Sequence, residues 1–531
     1  MQNSKLPGSV TPARKFLLVA GLAILPLGFY LWLAYRYPIA PNLQHPRGSW
    51  MSQVGATPWN LIQHLAVYLA VGLLFFGLLL ALRKYRQELA GWQRWVVLML
   101  LAAWLACSLA MLPVTPNGES HDIFDYIVRG RMMAEYRLNP LVYTPATLGY
   151  AVPYYSYAAW YKSVDAYGPL WNLASFAVSG GVRWLAQRMD WWQPGYLGCP
   201  YSPLSCRLLI VYVEAYRLLE IGMTGLSGWL VARIVAARDK QLVPLALAGW
   251  LLNPLMLISS ALGGHNDSML LALFLLAVFL LLRKRPFWSL LVLILAAHVK
   301  LTALIWLPAF GLWIFWRWGW KQALKISSAA AAVSVLLSWI LYAPFGGWSS
   351  LPRQLHDRTL YLGNSIWQVL NYICSHYWKW PGPITSFLSR NLPLILFAIA
   401  AGLALLWLFN LRPRRWRRDA IAPAEAETRL LQALVVTSLL FIGVASFWFQ
   451  PWYITWVIAP AVLLPESDLS HFLLPWLAFG AIASNITADI HLAPLWGSLS
   501  QVGVIWGPFL AAGLVLLLVR RRSRPRPIDR A

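Results

Sequence analysis

Between Ser120 and Arg131 the chain reads Ser-His-Asp-Ile-Phe-Asp-Tyr-Ile-Val-Arg-Gly-Arg, a density of charge set in an otherwise apolar sequence. Asp122, Asp125, Tyr126 and Arg129 recur at three- and four-residue spacing, so in a helix capped by Ser120 they share one face. Two readings follow. Acids in a first turn offset the helix dipole and Asp125 pairs with Arg129. Alternatively, one carboxylate accepts the proton of a hydroxyl nucleophile as a general base. Spacing alone does not choose between them.

Further polar points interrupt the apolar runs. In Gly263-Gly264-His265-Asn266-Asp267 the glycines can end one helix and Asn266 or Asp267 can cap the next; otherwise His265, Asn266 and Asp267 face a shared cavity and bind polar substrate atoms. Lys300, beside His298 at the turn between two short apolar pieces, either suits an anionic phosphate or snorkels to the interface. Arg358, with Arg353, His356 and Asp357, binds a lipid phosphate or rims an interfacial helix. The run Phe447 to Tyr453 is what a membrane interface recruits, although Trp452 and Tyr453 could equally stack a sugar or line a lipid groove. Glu214, Arg217 and Glu220 lie along one helix face and read as a structural ladder. Asp122, Asp125 and His265 could ligate a divalent cation, although their spacing does not demand one. The chain has no Walker loop, nucleophile elbow, Cys/His metal spacing or dinucleotide fingerprint.

The elements that must position these residues are apolar helices. The chain has 531 residues, of which 59% are hydrophobic and 12% charged, and many of its apolar runs approach the roughly 20 residues needed to cross a bilayer. The expectation is an all-α polytopic membrane protein, a single domain over residues 1–531, with about fourteen spans, one of them Trp452 to Leu464. The apolar run from Phe16 is followed by Tyr-Arg-Tyr-Pro, not by a small-residue cleavage site, and reads as a first span.

The net charge of +24 falls in short connections: Arg83 to Arg86, Arg283 to Arg285, Arg317 to Lys321, Arg412 to Arg418 and a basic tail at 520–531. With the N-terminus inside, every cluster is cytoplasmic, so the positive-inside rule accounts for the excess without nucleic acid. That topology places residues 114–206 and 344–390 outside as two large loops, with Leu170 to Ala186 as an interfacial or re-entrant helix and Leu351 to Leu370 as an amphipathic helix on the membrane. Cys199 and Cys206 can then close a small disulfide loop if the compartment is oxidising.

The set Ser120-His-Asp122-Ile-Phe-Asp-Tyr126-Ile-Val-Arg-Gly130-Arg131 with Asn139-Pro140, Tyr167-Gly168-Pro169-Leu170, Gly264-His265-Asn266-Asp267, Lys300 with Leu307-Pro308, and Pro451-Trp452-Tyr453, in that order, resembles bacterial polyprenyl-phosphate-mannose-dependent mannosyltransferases. The resemblance implies a bundle of glycosyltransferase-C type and an inverting transfer of a hexose, mannose by analogy, from a polyprenyl phosphate to a glycolipid or glycan hydroxyl. The active site would face out of a bacterial plasma membrane. It also implies that Asp122 is the base and Asp125 a supporting acid, since the family pattern does not need an acid at the second position. Tyr126, Arg129, Tyr167, His265, Asn266, Asp267, Lys300, Arg358, Trp452 and Tyr453 would contact substrate, with Lys300 first and Arg358 second for the leaving phosphate. A transporter or flippase of lipid-linked sugars, or a related enzyme using another lipid-phosphate sugar, are the competing readings.

Overall fold

A computed structural model describes residues 11–44, 57–116, 120–149, 154–191, 203–358, 362–409, 423–487 and 494–522. Among them the regular structure is helical, joined only by two isolated β-bridges, Pro38 to Val114 and Gly363 to Trp448. Among the described residues nine helices, from Pro12–Arg36 to Trp496–Arg520, are long and apolar enough to cross a bilayer. A further apolar pair of helices, Lys240–Leu251 and Pro254–Leu262, is bent by 52° at its break. The bend has a local cause: Pro254 cannot continue the ladder, and Asn253 restarts it by accepting from the Leu255 N–H at 3.0 Å. The chain is an integral membrane protein.

The full-length spans are fewer than the fourteen expected, because apolar composition marks buried helices as well as spanning ones. Asp267–Leu282 and Pro286–Ala297 are shorter apolar helices. The expected span Trp452 to Leu464 is a 3-10 turn followed by the seven-residue helix Thr455–Ala461, every residue of which is buried. Seven helical residues reach only about 10 Å. This segment is hydrophobic because protein surrounds it.

Among the described residues, basic side chains from separate connections pair with acids at one end of the bundle. Arg86 pairs with Glu466 and lies 3.8 Å from Asp239, and Arg520 pairs with Asp468. Asp267 starts, and Arg283 follows, a 16-residue helix about 24 Å long, so the residues grouped with Asp122 lie at the other end.

Two helices outside the candidate spans shape that end. The first, Asp122–Tyr136, carries both aspartates in its opening turn, and the Oγ of Ser120 accepts from the Asp122 N–H at 3.0 Å. The helix stops where Arg137 turns left-handed, at φ 53°, and the Leu138 N–H returns to the Met132 carbonyl. The second, Pro169–Arg188, packs against it. Their closeness explains Gly130: a Cβ there would lie 2.3 Å from Ser179 Oγ and 2.6 Å from the Ser175 carbonyl. Cys206 is disulfide-bonded while Cys107 and Cys374 are free; Cys199 lies outside the described residues.

Candidate active site

The aspartate face of the Asp122–Tyr136 helix opens into a cavity of about 250 Å³. Asp122, Asp125, Arg129, Trp160, Asp165, Tyr167 and Lys300 form its polar wall, and Phe441, Ala445, Trp448, Trp452, Tyr453 and Trp456 much of its aromatic and apolar wall. Phe441–Ala445 is a π-helical end of the Glu425–Ala445 span, a geometry common beside functional cavities.

Asp122 accepts from the indole N–H of Trp160 at 3.1 Å and from the Tyr167 hydroxyl at 3.3 Å. Burial raises its carboxyl above the usual range, while the Trp160 hydrogen bond, the charge of Lys300 and the Tyr167 hydroxyl act against that rise. Asp125 is held differently. It accepts from the main-chain N–H groups of Ala159 and Trp160 at 3.1 and 3.2 Å, and Arg129 lies 3.9 Å away. Burial pushes it up to about 7, against the pull of Arg129. Arg129 in turn donates to the carbonyls of Trp160 and Ser163, both at 3.0 Å. Trp160 thus binds both acids and the arginine.

Lys300 donates to both carboxylate oxygens of Asp267, at 3.0 and 3.2 Å, and Asp267 also accepts from Trp456 at 2.6 Å. The ammonium sits 4.7 Å from the Tyr453 ring centroid and 5.0 Å from that of Trp456. Tyr167 and Lys300 are tied together through the main chain: the Gly168 N–H donates to Val299 and the Leu170 N–H to His298, each at 3.0 Å. Only glycine fits between them, since a Cβ at 168 would stand 2.2 Å from the His298 carbonyl oxygen. Gln354, buried on the Leu351–Arg358 helix, donates to the carbonyls of Asp165 and Tyr167 and clamps that helix onto the loop before Pro169.

The structure sorts the expected residues. Asp122, Asp125, Arg129, Tyr167, Lys300, Trp452 and Tyr453 reach the cavity. Tyr126, His265, Asn266 and Asp267 are buried behind its wall, where they touch protein. Tyr126 donates to the Tyr167 hydroxyl at 3.3 Å. Neither Asn266 nor Asp267 caps the following helix through its side chain. The Arg358 side chain lies outside the described residues, and Arg353 donates to the Val142 carbonyl. Of the Glu-Arg-Glu ladder, Arg217 meets Glu214 at 3.2 Å, but Glu220 turns to the Met269 N–H. Among the described residues no three His, Cys, Asp or Glu side chains converge as a metal cluster, so Asp122, Asp125 and His265 do not form one.

Trp160, Asp165, Trp456 and Gln354 are the site residues that sequence reasoning missed. Trp160 and Asp165 lie in an aperiodic loop, and Trp456 lies inside a stretch that reads as a span; Gln354 carries no chemical signature of its own.

Comparison with known proteins places this geometry among glycosyltransferases. The family described as Alpha-(1->6)-mannopyranosyltransferase, N-terminal domain, matches residues 29–316, more than half of the chain. Glycosyltransferase family 87 matches residues 200–443. Alpha-(1->6)-mannopyranosyltransferase A of Corynebacterium glutamicum is 27% identical over 246 residues, which cover 43% of this chain and 48% of that protein. The chain thus aligns with about half the length of that curated relative.

Proposed function

Because the chain belongs to the family described as Alpha-(1->6)-mannopyranosyltransferase, N-terminal domain, we propose that it is a membrane glycosyltransferase that moves a hexose, mannose by resemblance, from a polyprenyl phosphate to a hydroxyl of a glycolipid or glycan, with inversion. The observation that carries this reading is the Asp122 carboxylate, fixed by Trp160 and Tyr167 in the wall of a cavity that Lys300 also lines.

In this reading Asp122 removes the proton of the acceptor hydroxyl as its oxygen attacks the anomeric carbon. The bond from that carbon to the phosphate oxygen breaks, and its electron pair leaves with the lipid phosphate. Lys300 and Arg129, fixed cations in a site of low dielectric, offset the charge that develops there. Asp125 holds the Ala159-Trp160 turn, and with it the indole that orients Asp122. The apolar side of the cavity suits a lipid-borne donor: Leu394, 46% exposed on the apolar Gly382–Leu408 helix, lines it beside Phe441 and Ala445. A base at the end remote from the basic clusters fits an outward-facing site.

Membranes carrying the protein, supplied with labelled polyprenyl-phosphate mannose and a membrane glycolipid acceptor, test the assignment. Asp122→Asn is expected to lower transfer at least about 100-fold, the lower bound for general-base catalysis. Full transfer by Asp122→Asn sinks the assignment, and loss in Asp125→Asn alone reverses the two roles.

A further inference from the structure

His265 lies directly behind Asp122. Its side chain is fully buried, and neither ring nitrogen has a hydrogen-bond partner among the described residues. The ring is nevertheless held firmly. It stacks on Trp452 with centroids 3.7 Å apart and planes 22° apart. Its Cδ2 edge lies against Gly263, where an added Cβ would come within 2.6 Å, and its main-chain N–H donates to the Ser259 carbonyl at 2.9 Å. So constrained, the ring directs Nδ1 at Oδ2 of Asp122 across 3.7 Å.

A shift of about 0.5 Å brings that pair into hydrogen-bond range. The other ionisable groups that act on the two are Lys300, Asp267, Asp125, Tyr167, Tyr126 and His121. The Lys300 charge and complete burial both disfavour an imidazolium, so the ring is neutral and carries a single N–H. On Nδ1 that proton meets a carboxylate; on Nε2 it has no acceptor among the described residues.

We propose that His265 is a positioning residue, a neutral imidazole that donates Nδ1–H to Oδ2 of Asp122 from behind and holds the carboxylate toward the acceptor hydroxyl. The donor set of Asp122 then comprises Trp160 and Tyr167 from one loop and His265 from a distant stretch of chain. The inference rests on the reading of Asp122 as the base, and it withdraws His265 from substrate contact.

Exchanging one nitrogen position for the other tests it on the full-length protein. The carboxamide nitrogen of Asn stands near the imidazole Nδ1 position, and that of Gln near Nε2. Both substitutions remove the stacked ring, so a merely structural role predicts equal losses. We expect His265→Asn to keep transfer within about fivefold of wild type and His265→Gln to lower kcat roughly 10- to 100-fold with KM little changed, the weight of one hydrogen bond to a charged group. The acid limb of the pH profile should move to higher pH in His265→Gln only. Infrared difference titration reads the same carboxyl without turnover, with Asp122→Asn identifying its band. Equal losses in the two variants, or an Asp122 band that titrates identically in both, overturn the inference. An active Asp122→Asn would instead overturn the reading of the base, a separate result.

Discussion

The indole N–H of Trp160 donates to Oδ1 of Asp122 at 3.1 Å, while the main-chain N–H of the same tryptophan donates to Asp125. One residue of an irregular loop therefore sets the environment of both acids. Trp160→Phe keeps the aromatic wall and deletes only the indole donor. Loss of a hydrogen bond to the charged form raises a carboxyl pKa, so the acid limb of the transfer profile is expected to move up by about one pH unit. Rate-versus-pH profiles of the two proteins check it; superimposable limbs would detach Trp160 from the base.

Asp125 predicts a pH dependence of stability. Burial holds its folded-state carboxyl at about 7, above the ordinary aspartate value near 4. The folded state therefore binds this proton more tightly than the unfolded state does. The contribution is complete below about pH 4 and is lost as the pH rises through about 7. Between these limits the wild-type Tm in detergent should fall more steeply than that of Asp125→Asn, whose side chain does not titrate. Parallel curves would refute the shift.

Lys300 and Asp267 form a buried pair, and removing one partner strands the other. Lys300→Met is expected to destabilise the protein by about 3–5 kcal/mol, whereas Lys300→Met with Asp267→Asn should recover most of that loss. If Lys300 also meets the leaving phosphate, the double variant stays inactive although it is folded. Thermal unfolding and transfer, measured on both variants, separate the two roles.

Gly168→Ala places a methyl group against the main chain of His298, which cannot rotate aside. The expected cost is about 1–3 kcal/mol, the range for overpacking, with a loss of transfer because Tyr167 and Lys300 are spaced by this contact. Gly180, on the same helix, has open space where a Cβ would go, and Gly180→Ala should leave both quantities unchanged.

The sequence shows the helix of acids clearly, because its information is local: three- and four-residue spacing puts Asp122, Asp125 and Arg129 on one face, and all three line the cavity. Lys300, Trp452 and Tyr453 are legible through residue type and their place between apolar runs. What stays hidden is the partner of each group. Trp160 reaches Asp122 across 38 residues and Lys300 reaches Asp267 across 33, separations that no periodicity encodes. Hydropathy also cannot tell lipid from protein as the apolar surroundings of a helix. That is why Thr455–Ala461 reads as part of a span, and why His265 and Asn266 read as cavity residues although they lie behind the wall.

The Gln354 clamp and the aromatic wall from Phe441 to Trp456 come from chain beyond residue 316, where the match to the family's N-terminal domain ends. A ribosome that has inserted the first 316 residues has already placed Asp122, Trp160, Tyr167 and Lys300 in the membrane. It has not yet made the surfaces that close around them. Until those last two-fifths of the chain arrive, Asp122 lacks the aromatic wall that encloses it in the finished fold. Competence is thus acquired late in synthesis, and a prematurely terminated chain carries the acids without the chamber.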